Sequence, residues 1–210
     1  MCRDIDRREY DTTDLQAPTD IDRTASVLGR RTFFTGGLFA IAASVLPLRA
    51  LASATSSSRQ YTLFIERMDT GEYAAEPFTL DGKSLFWPGY KKLCAVLRDE
   101  HVANRYGYVQ INVRTIEALW AVQRYLVRDG INQPIVIHSG YRTPQTNAQI
   151  EGAARLSLHM WGKAVDFHVP GVPLADLAGI CQACPISGGV GYYPEGWVHM
   201  DTGPKRSWVG

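Results

Sequence analysis

The stretch Ser157-Leu158-His159-Met160-Trp161-Gly162-Lys163-Ala164-Val165-Asp166-Phe167 narrows the possible folds more than any other part of this chain. It carries a histidine, then a glycine that lets the backbone turn, then a short apolar run that reads as a strand from Ala164 to His168. Alternation along that strand sends Ala164, Asp166 and His168 to one face and Val165 and Phe167 to the other. Further on, Trp197-Val198-His199-Met200-Asp201 reads as another strand, with His199 and Asp201 sharing a face. A sheet can therefore gather His159, Asp166 and His199 on one side. Two imidazoles and one carboxylate suit Zn²⁺, and three protein ligands leave a fourth position open, as in catalytic rather than structural sites. One zinc ion on His159, Asp166 and His199 is the expectation.

The rest of the chain supplies a frame. Tyr61–Glu66 and Ala75–Leu80 flank Asp69-Thr70-Gly71 and read as a β-hairpin packed across the helices that follow. Trp87–His101 and Val113–Arg128 read as helices. The second repeats Ile116, Leu119, Trp120, Leu126 and Val127 at helical spacing before Gly130, which makes Trp120 a core residue. Pro134–His138 reads as a buried strand, and Pro144 suits the first turn of a helix. Val172–Ile180 reads as helical, and Gly189–Tyr193 with Trp197–Asp201 as a final hairpin turning at Pro194-Glu195-Gly196. Helices first and strands later predict an α+β domain on a small, mainly antiparallel sheet.

The pattern Ser-x-His-x-x-Gly-x-Ala-x-Asp-Phe, with the later Val198-His199-Met200-Asp201-Thr202-Gly203-Pro204, resembles the zinc D-Ala-D-Ala metallopeptidases. These share a fold with lysostaphin-type peptidases and the hedgehog signalling domain. Ser139-Gly140-Tyr141-Arg142-Thr143-Pro144 and Gly188-Gly189-Val190-Gly191-Tyr192-Tyr193-Pro194 are most similar to the MepK-like murein endopeptidases within that group. The resemblance covers nearly everything after about residue 59. It implies a zinc peptidase domain over 61–210 that hydrolyses peptide cross-links of peptidoglycan. A D-Ala-D-Ala carboxypeptidase and a zinc-containing wall-binding domain without catalysis are the alternatives.

Other residues take roles from this frame. An arginine fork can grip a carboxylate bidentately, and the resemblance implies that Arg142 faces the cleft, binding substrate or polarising the scissile carbonyl. The resemblance also places Ser157 near the metal, in reach of substrate. Asp201 is expected as a catalytic carboxylate, as an outer partner of the metal site or as a structural group. Trp161 and Trp197 flank two ligands and would wall a substrate or pack at the sheet end. His168 shares the face of Asp166 and would lie beside the metal or at the sheet end, while His138 falls outside the ligand pattern. The general base is less defined. The carboxypeptidase branch has a glutamate three residues before its last histidine ligand, where this chain has Gly196. Glu195, one residue earlier, His168, Asp201 and the tyrosines at 192 and 193 are the options.

The N-terminal region reads as a targeting segment. Residues 1–28 are polar and read as a disordered leader. Gly29-Arg30-Arg31-Thr32-Phe33-Phe34 sets paired arginines before an apolar run from Gly36 to Leu48, too short to span a bilayer, and Ala50-Leu51-Ala52 offers a cleavage site. This resembles a twin-arginine export signal over 1–52, followed by a Ser-rich linker over 53–60. Such a signal implies the twin-arginine export machinery as a partner and the periplasm or cell envelope as destination. An uncut N-terminal anchor is the alternative. A net charge of +1, with no Lys/Arg block, argues against nucleic acid. Of four cysteines, Cys94, Cys181 and Cys184 lie in the domain. The Cys181-Gln182-Ala183-Cys184 pair is a weak metal signal by itself and reads as buried small residues or a short-loop disulfide.

Overall fold

The computed structural model describes residues 60–101 and 109–210. The leader, the export signal with its cleavage site, and the linker up to residue 59 lie outside the described residues. Among the described residues, β1 (Thr62–Arg67), β2 (Tyr73–Pro77), α1 (Trp87–Val96) and α2 (Val113–Arg128) come first. Next come β3 (Ile135–Ser139), α3 (Pro144–Gln149), a 3₁₀ turn (Leu158–Trp161), β4 (Ala164–His168) and α4 (Leu174–Ala183). The chain closes with β5 (Gly189–Tyr193), β6 (Trp197–Asp201) and β7 (Arg206–Val209). All the strands join one seven-stranded sheet in the order β2-β1-β3-β4-β6-β5-β7.

The α+β reading holds, but the sheet is mixed rather than mainly antiparallel. β1 runs parallel to β3 and β5 parallel to β7, while the other neighbours are antiparallel. The physical reason lies in the connections. β1 reaches β3 through a crossover carrying α1 and α2, which makes parallel pairing possible. The first hairpin packs on α1 and α2 as expected and is also the edge of the main sheet. β7, which the sequence reading did not include, follows β6 through a short loop and adds to the far side of β5.

One face of the sheet is apolar by simple alternation. The register sets Ile65 opposite Ile135, Ile137 opposite Phe167, Val165 opposite Met200 and Phe167 opposite Val198. All of these side chains are buried, and α1, α2 and α4 pack on the strands they belong to or neighbour. α2 starts on Asn112, whose side chain accepts from the Arg114 amide at 3.0 Å, and ends at Asp129 before Gly130. Its Gln123 carboxamide satisfies both backbone groups of Phe64, at 2.9 and 2.8 Å. Trp120 is half-buried rather than wholly internal: it packs against the core, stacks on Tyr61 and donates to the Gln60 carbonyl at 3.0 Å. α1 stops at Val96, short of the expected His101. There the buried Arg67 guanidinium donates to the Val96 and Arg98 carbonyls and pairs with Glu100 at 2.9 Å, ending the helix from across the fold.

The opposite face carries the polar residues in three rows. Ala164, Asp201, Gly189 and Arg206 make the first, and Ser139, Asp166, His199, Gly191 and Trp208 the second. The third continues along the same strands with His168, Trp197 and Tyr193.

Candidate metal centre

His159, Asp166 and His199 converge on this face, each offering one donor atom within 4.8 Å of the others. His159 comes from the 3₁₀ turn. Ser157 opens that turn with its hydroxyl on the His159 amide at 3.4 Å, and Gly162 closes it in a left-handed conformation (φ 62°). A side chain at 162 would press on the backbone of Gln110 and Ile111, so glycine is required there for two reasons. The Gly162 carbonyl is held by the Asn112 amide and the Thr115 hydroxyl, both at 3.0 Å, which ties the turn to the start of α2. Asp166 and His199 sit directly opposite each other on the central strands β4 and β6.

The ring nitrogens show which atoms face inward. His159 Nδ1 lies 2.7 Å from the Gly140 carbonyl, which only accepts, so Nδ1 carries the hydrogen and Nε2 holds a lone pair. His199 Nε2 lies 3.1 Å from Asp201 Oδ2, so this ring donates outward too and turns Nδ1 inward. The three inward atoms, His159 Nε2, His199 Nδ1 and Asp166 Oδ1, are separated by 3.2, 3.3 and 2.8 Å. Tetrahedral zinc with bonds near 2.05 Å sets its ligands about 3.3 Å apart. With their outer nitrogens satisfied from behind, both rings can turn a lone pair inward to meet Asp166 Oδ1 once any proton on His199 Nδ1 has left. That arrangement calls for a cation, and the donor set fits Zn²⁺.

Electrostatics agree. Burial of His159 pushes its pKa below the ordinary histidine value, which keeps it ready to ligate. Burial opposes ionisation of Asp166, but the facing His159 and His199 rings outweigh it and hold the carboxyl well below the usual range. Burial also disfavours a charged His199, yet hydrogen bonds to Asp166 and Asp201 raise its pKa above the ordinary value. Without a metal, a proton on His199 fills the same need for positive charge.

The partners behind the ligands are equally defined. Asp201 is buried on the same face, on the outer side of the His199 ring. It takes His199 Nε2, both Arg206 terminal nitrogens (2.6 and 3.3 Å) and the amides of Gly189 (2.9 Å) and Gly203 (2.8 Å). Burial works against its charge, but these donors, led by His199, lower its pKa to about 2. A Cβ on Gly189 would stand 2.5 Å from Asp201 Oδ2, so glycine makes room for this pairing. Arg142 binds Asp166 Oδ2 through Nη2 and Ser139 Oγ through Nε at 2.7 Å, and its own amide donates to the His159 carbonyl at 3.2 Å. Its remaining nitrogen, Nη1, has no hydrogen-bond partner among the described residues.

The sequence-derived residues thus separate into groups. His159, Asp166, His199 and Arg142 stand together, with Ser157 beneath the turn and Asp201 behind His199. Trp197 lies in the third row, stacked on Tyr193 at 5.2 Å. Trp161 is exposed beside the turn. Glu195 lies exposed in the turn beyond Trp197, outside the cluster. Cys94, Cys181 and Cys184 are free and buried, and burial raises the thiol pKa of Cys94 and Cys181, which fits the reading as small core residues. Reading the sequence missed Ser139, Arg206 and Trp208 as site residues. Trp208 lies 5.2 Å from the His199 ring and donates to the Tyr193 hydroxyl at 3.0 Å. The alternating Gly189 and Gly191, which leave space on one face, were the available sign of a covering strand.

The family described as "Peptidoglycan L,D-endopeptidase MepK" matches residues 53–208. The chain belongs to this family. The "Peptidoglycan L,D-endopeptidase MepK" of Escherichia coli (strain K12) is 34% identical over 184 residues, covering 85% of this chain and 96% of that protein. The "Probable peptidoglycan L,D-endopeptidase MepK" of Haemophilus influenzae is 34% identical over 187 residues, covering 86% and 96%. The span matched by the MepK family contains His159, Asp166 and His199, the residues behind them and Trp208.

Proposed function

We propose that this chain is an exported zinc metallopeptidase that hydrolyses peptide cross-links of peptidoglycan, on the hedgehog-like fold of the D-Ala-D-Ala metallopeptidases. One observation carries the metal-dependent reading: His159 Nε2, His199 Nδ1 and Asp166 Oδ1 converge at 2.8 to 3.3 Å from one another, with the outer nitrogen of each ring held from behind, in a geometry that suits Zn²⁺ on His159, Asp166 and His199. Membership of the MepK family supports the substrate. The family match beginning at residue 53, just after Ala52, fits an export signal over 1–52 and a periplasmic destination.

Bound zinc supplies Lewis acidity for amide hydrolysis. The protein's part is positional. Arg142 holds Asp166 with one nitrogen and keeps Nη1 for the scissile carbonyl. Ser157 fixes the His159 turn and stands close enough to border the substrate, and Trp197 offers an aromatic wall next to the metal. Asp201 fixes His199 from behind. Glu195, at least about 7 Å of strand from His199, is the carboxylate left unengaged on this hairpin, and it would move a proton to the leaving amine through intervening water. The test is incubation of the zinc-loaded full chain with cross-linked muropeptides, with His159→Ala as control. Dimers converted to monomers by the wild type alone would support the reading. Stoichiometric zinc without cleavage of any cross-link would refute it and favour the wall-binding alternative.

A further inference from the structure

The third row of the metal face contains a pair of histidines that the metal site does not use. β3 and β4 are in register at Ile137–Phe167, and again at Ser139–Asp166, so β3 spends two residues where β4 spends one. The extra residue is His138. Such a bulge lets consecutive side chains emerge on the same side, so Ser139 serves Arg142 while His138 joins His168 beside it. His138 Nε2 lies 2.7 Å from His168 Nδ1. The His138 ring is 5.8 Å from that of Trp197, which stacks on Tyr193. Both histidines are half-buried, and their outer nitrogens, His138 Nδ1 and His168 Nε2, have no hydrogen-bond partner among the described residues.

The chemistry of such a pair is specific. Two neutral imidazoles at this distance share one hydrogen. Whichever ring donates it, the outer nitrogens then present one donor and one acceptor. A carboxylate or phosphate asks for two donors. The outer nitrogens of such a pair point apart, so they meet two neighbouring groups of an extended peptide, a C=O at the donor and an N–H at the acceptor. Next to the pair, the Trp197–Tyr193 stack offers an apolar wall for an aliphatic side chain.

We propose that His138 and His168, walled by Trp197 and Tyr193, form a substrate subsite. It takes a C=O and a neighbouring N–H of an extended peptide backbone, with a side chain of that peptide on the aromatic stack. The inference rests on the peptidoglycan reading above and goes beyond it by assigning recognition to His138, a residue outside the ligand pattern.

The test measures binding without turnover. The metal-free full chain is titrated with a cross-linked muropeptide dimer by calorimetry, as wild type, His138→Phe, His138→Gln and Trp197→Leu. The zinc-loaded forms are assayed in parallel for KM, kcat and zinc stoichiometry. His138→Phe and Trp197→Leu are expected to bind about tenfold more weakly, equivalent to one or two lost contacts. KM should rise in proportion, with kcat little changed and one zinc retained. His138→Gln keeps one donor and one acceptor and should recover most of the affinity. Affinity and KM within twofold of wild type in both His138→Phe and Trp197→Leu would overturn the subsite while leaving the peptidase reading intact. So would a lowered melting temperature with unchanged affinity, which marks the pair as a strut between β3 and β4. If His138→Phe does not fold, Trp197→Leu and His138→Gln decide. A wild type that neither binds nor cleaves the dimer overturns both readings.

Discussion

Replacing Asp201 by asparagine should harm metal binding more than replacing it by alanine, although asparagine is the closer mimic. Asp201 Oδ1 accepts from the Gly189 and Gly203 amides at 2.9 and 2.8 Å. Its Oδ2 accepts from His199 Nε2 and Arg206 Nη2 at 3.1 and 2.6 Å. Asparagine has one oxygen, and the two backbone amides cannot move, so that oxygen takes the Oδ1 place. The amide NH₂ then points at His199 Nε2, donor against donor. The ring relieves this by moving its hydrogen from Nε2 to Nδ1, the atom that must hold a lone pair for the metal. Alanine leaves space for water to accept from Nε2–H, and the useful tautomer survives. Loss of an outer partner costs 10–100-fold in metal affinity. Alanine should fall near the lower end, about tenfold. Asparagine should reach or exceed about a hundredfold, or about 2.7 kcal/mol. Folding should rank the other way, because alanine strands two buried amides and loses about 2–4 kcal/mol. Competition with a chromophoric chelator gives the affinities, and urea unfolding of the metal-free proteins gives the stabilities. An asparagine variant that binds zinc within threefold of wild type would refute the tautomer argument.

Further outcomes follow from the same geometry. His159 ligates through Nε2 and His199 through Nδ1, so His159→Gln should keep more zinc affinity than His159→Asn, and His199→Asn more than His199→Gln, by chelator competition. Zinc affinity should fall with acid, because a proton on His199 must leave for the metal to bind. In the metal-free protein the sign for folding is the reverse. His199 has a raised folded pKa, so its contribution is full below its ordinary value of 6.5 and is lost as pH rises through the folded value, as the difference in urea unfolding between wild type and His199→Gln across that range will show. Gln123→Leu, which frees both backbone groups of Phe64, should destabilise the domain by about 1–3 kcal/mol in the same assay.

The cluster of His159, Asp166 and His199 was legible because its signal is local. A glycine-closed turn, a strand and a second strand carry His159, Asp166 and His199, and alternation alone predicts their common face. What escaped depends on distant residues. α1 ends early because Arg67 reaches its last carbonyls from β1. That the first hairpin joins the main sheet was not legible, because its parallel partner, β3, follows only after two helices. β7 is four residues long and reads as a tail. Its strand nature depends on Gly189 and Gly191, which leave the surface onto which Arg206 and Trp208 fold. Nor does a sequence state which nitrogen of a histidine faces inward. That required the Gly140 carbonyl and the Asp201 carboxylate to be placed in space.

The position of Asp166 and His199 on β4 and β6 bears on the order in which the protein would mature. These are interior strands, pinned from the reverse side by Val165, Phe167, Val198 and Met200. The cohesion of the domain comes from that apolar layer. Small zinc modules whose chain collapses around the ion melt when it is stripped. Here prolonged dialysis against a chelator should leave amide-exchange protection in β4 and β6 nearly intact, and zinc added back should restore the centre within mixing time, with no refolding phase. That outcome would make the metal a late arrival to a finished scaffold.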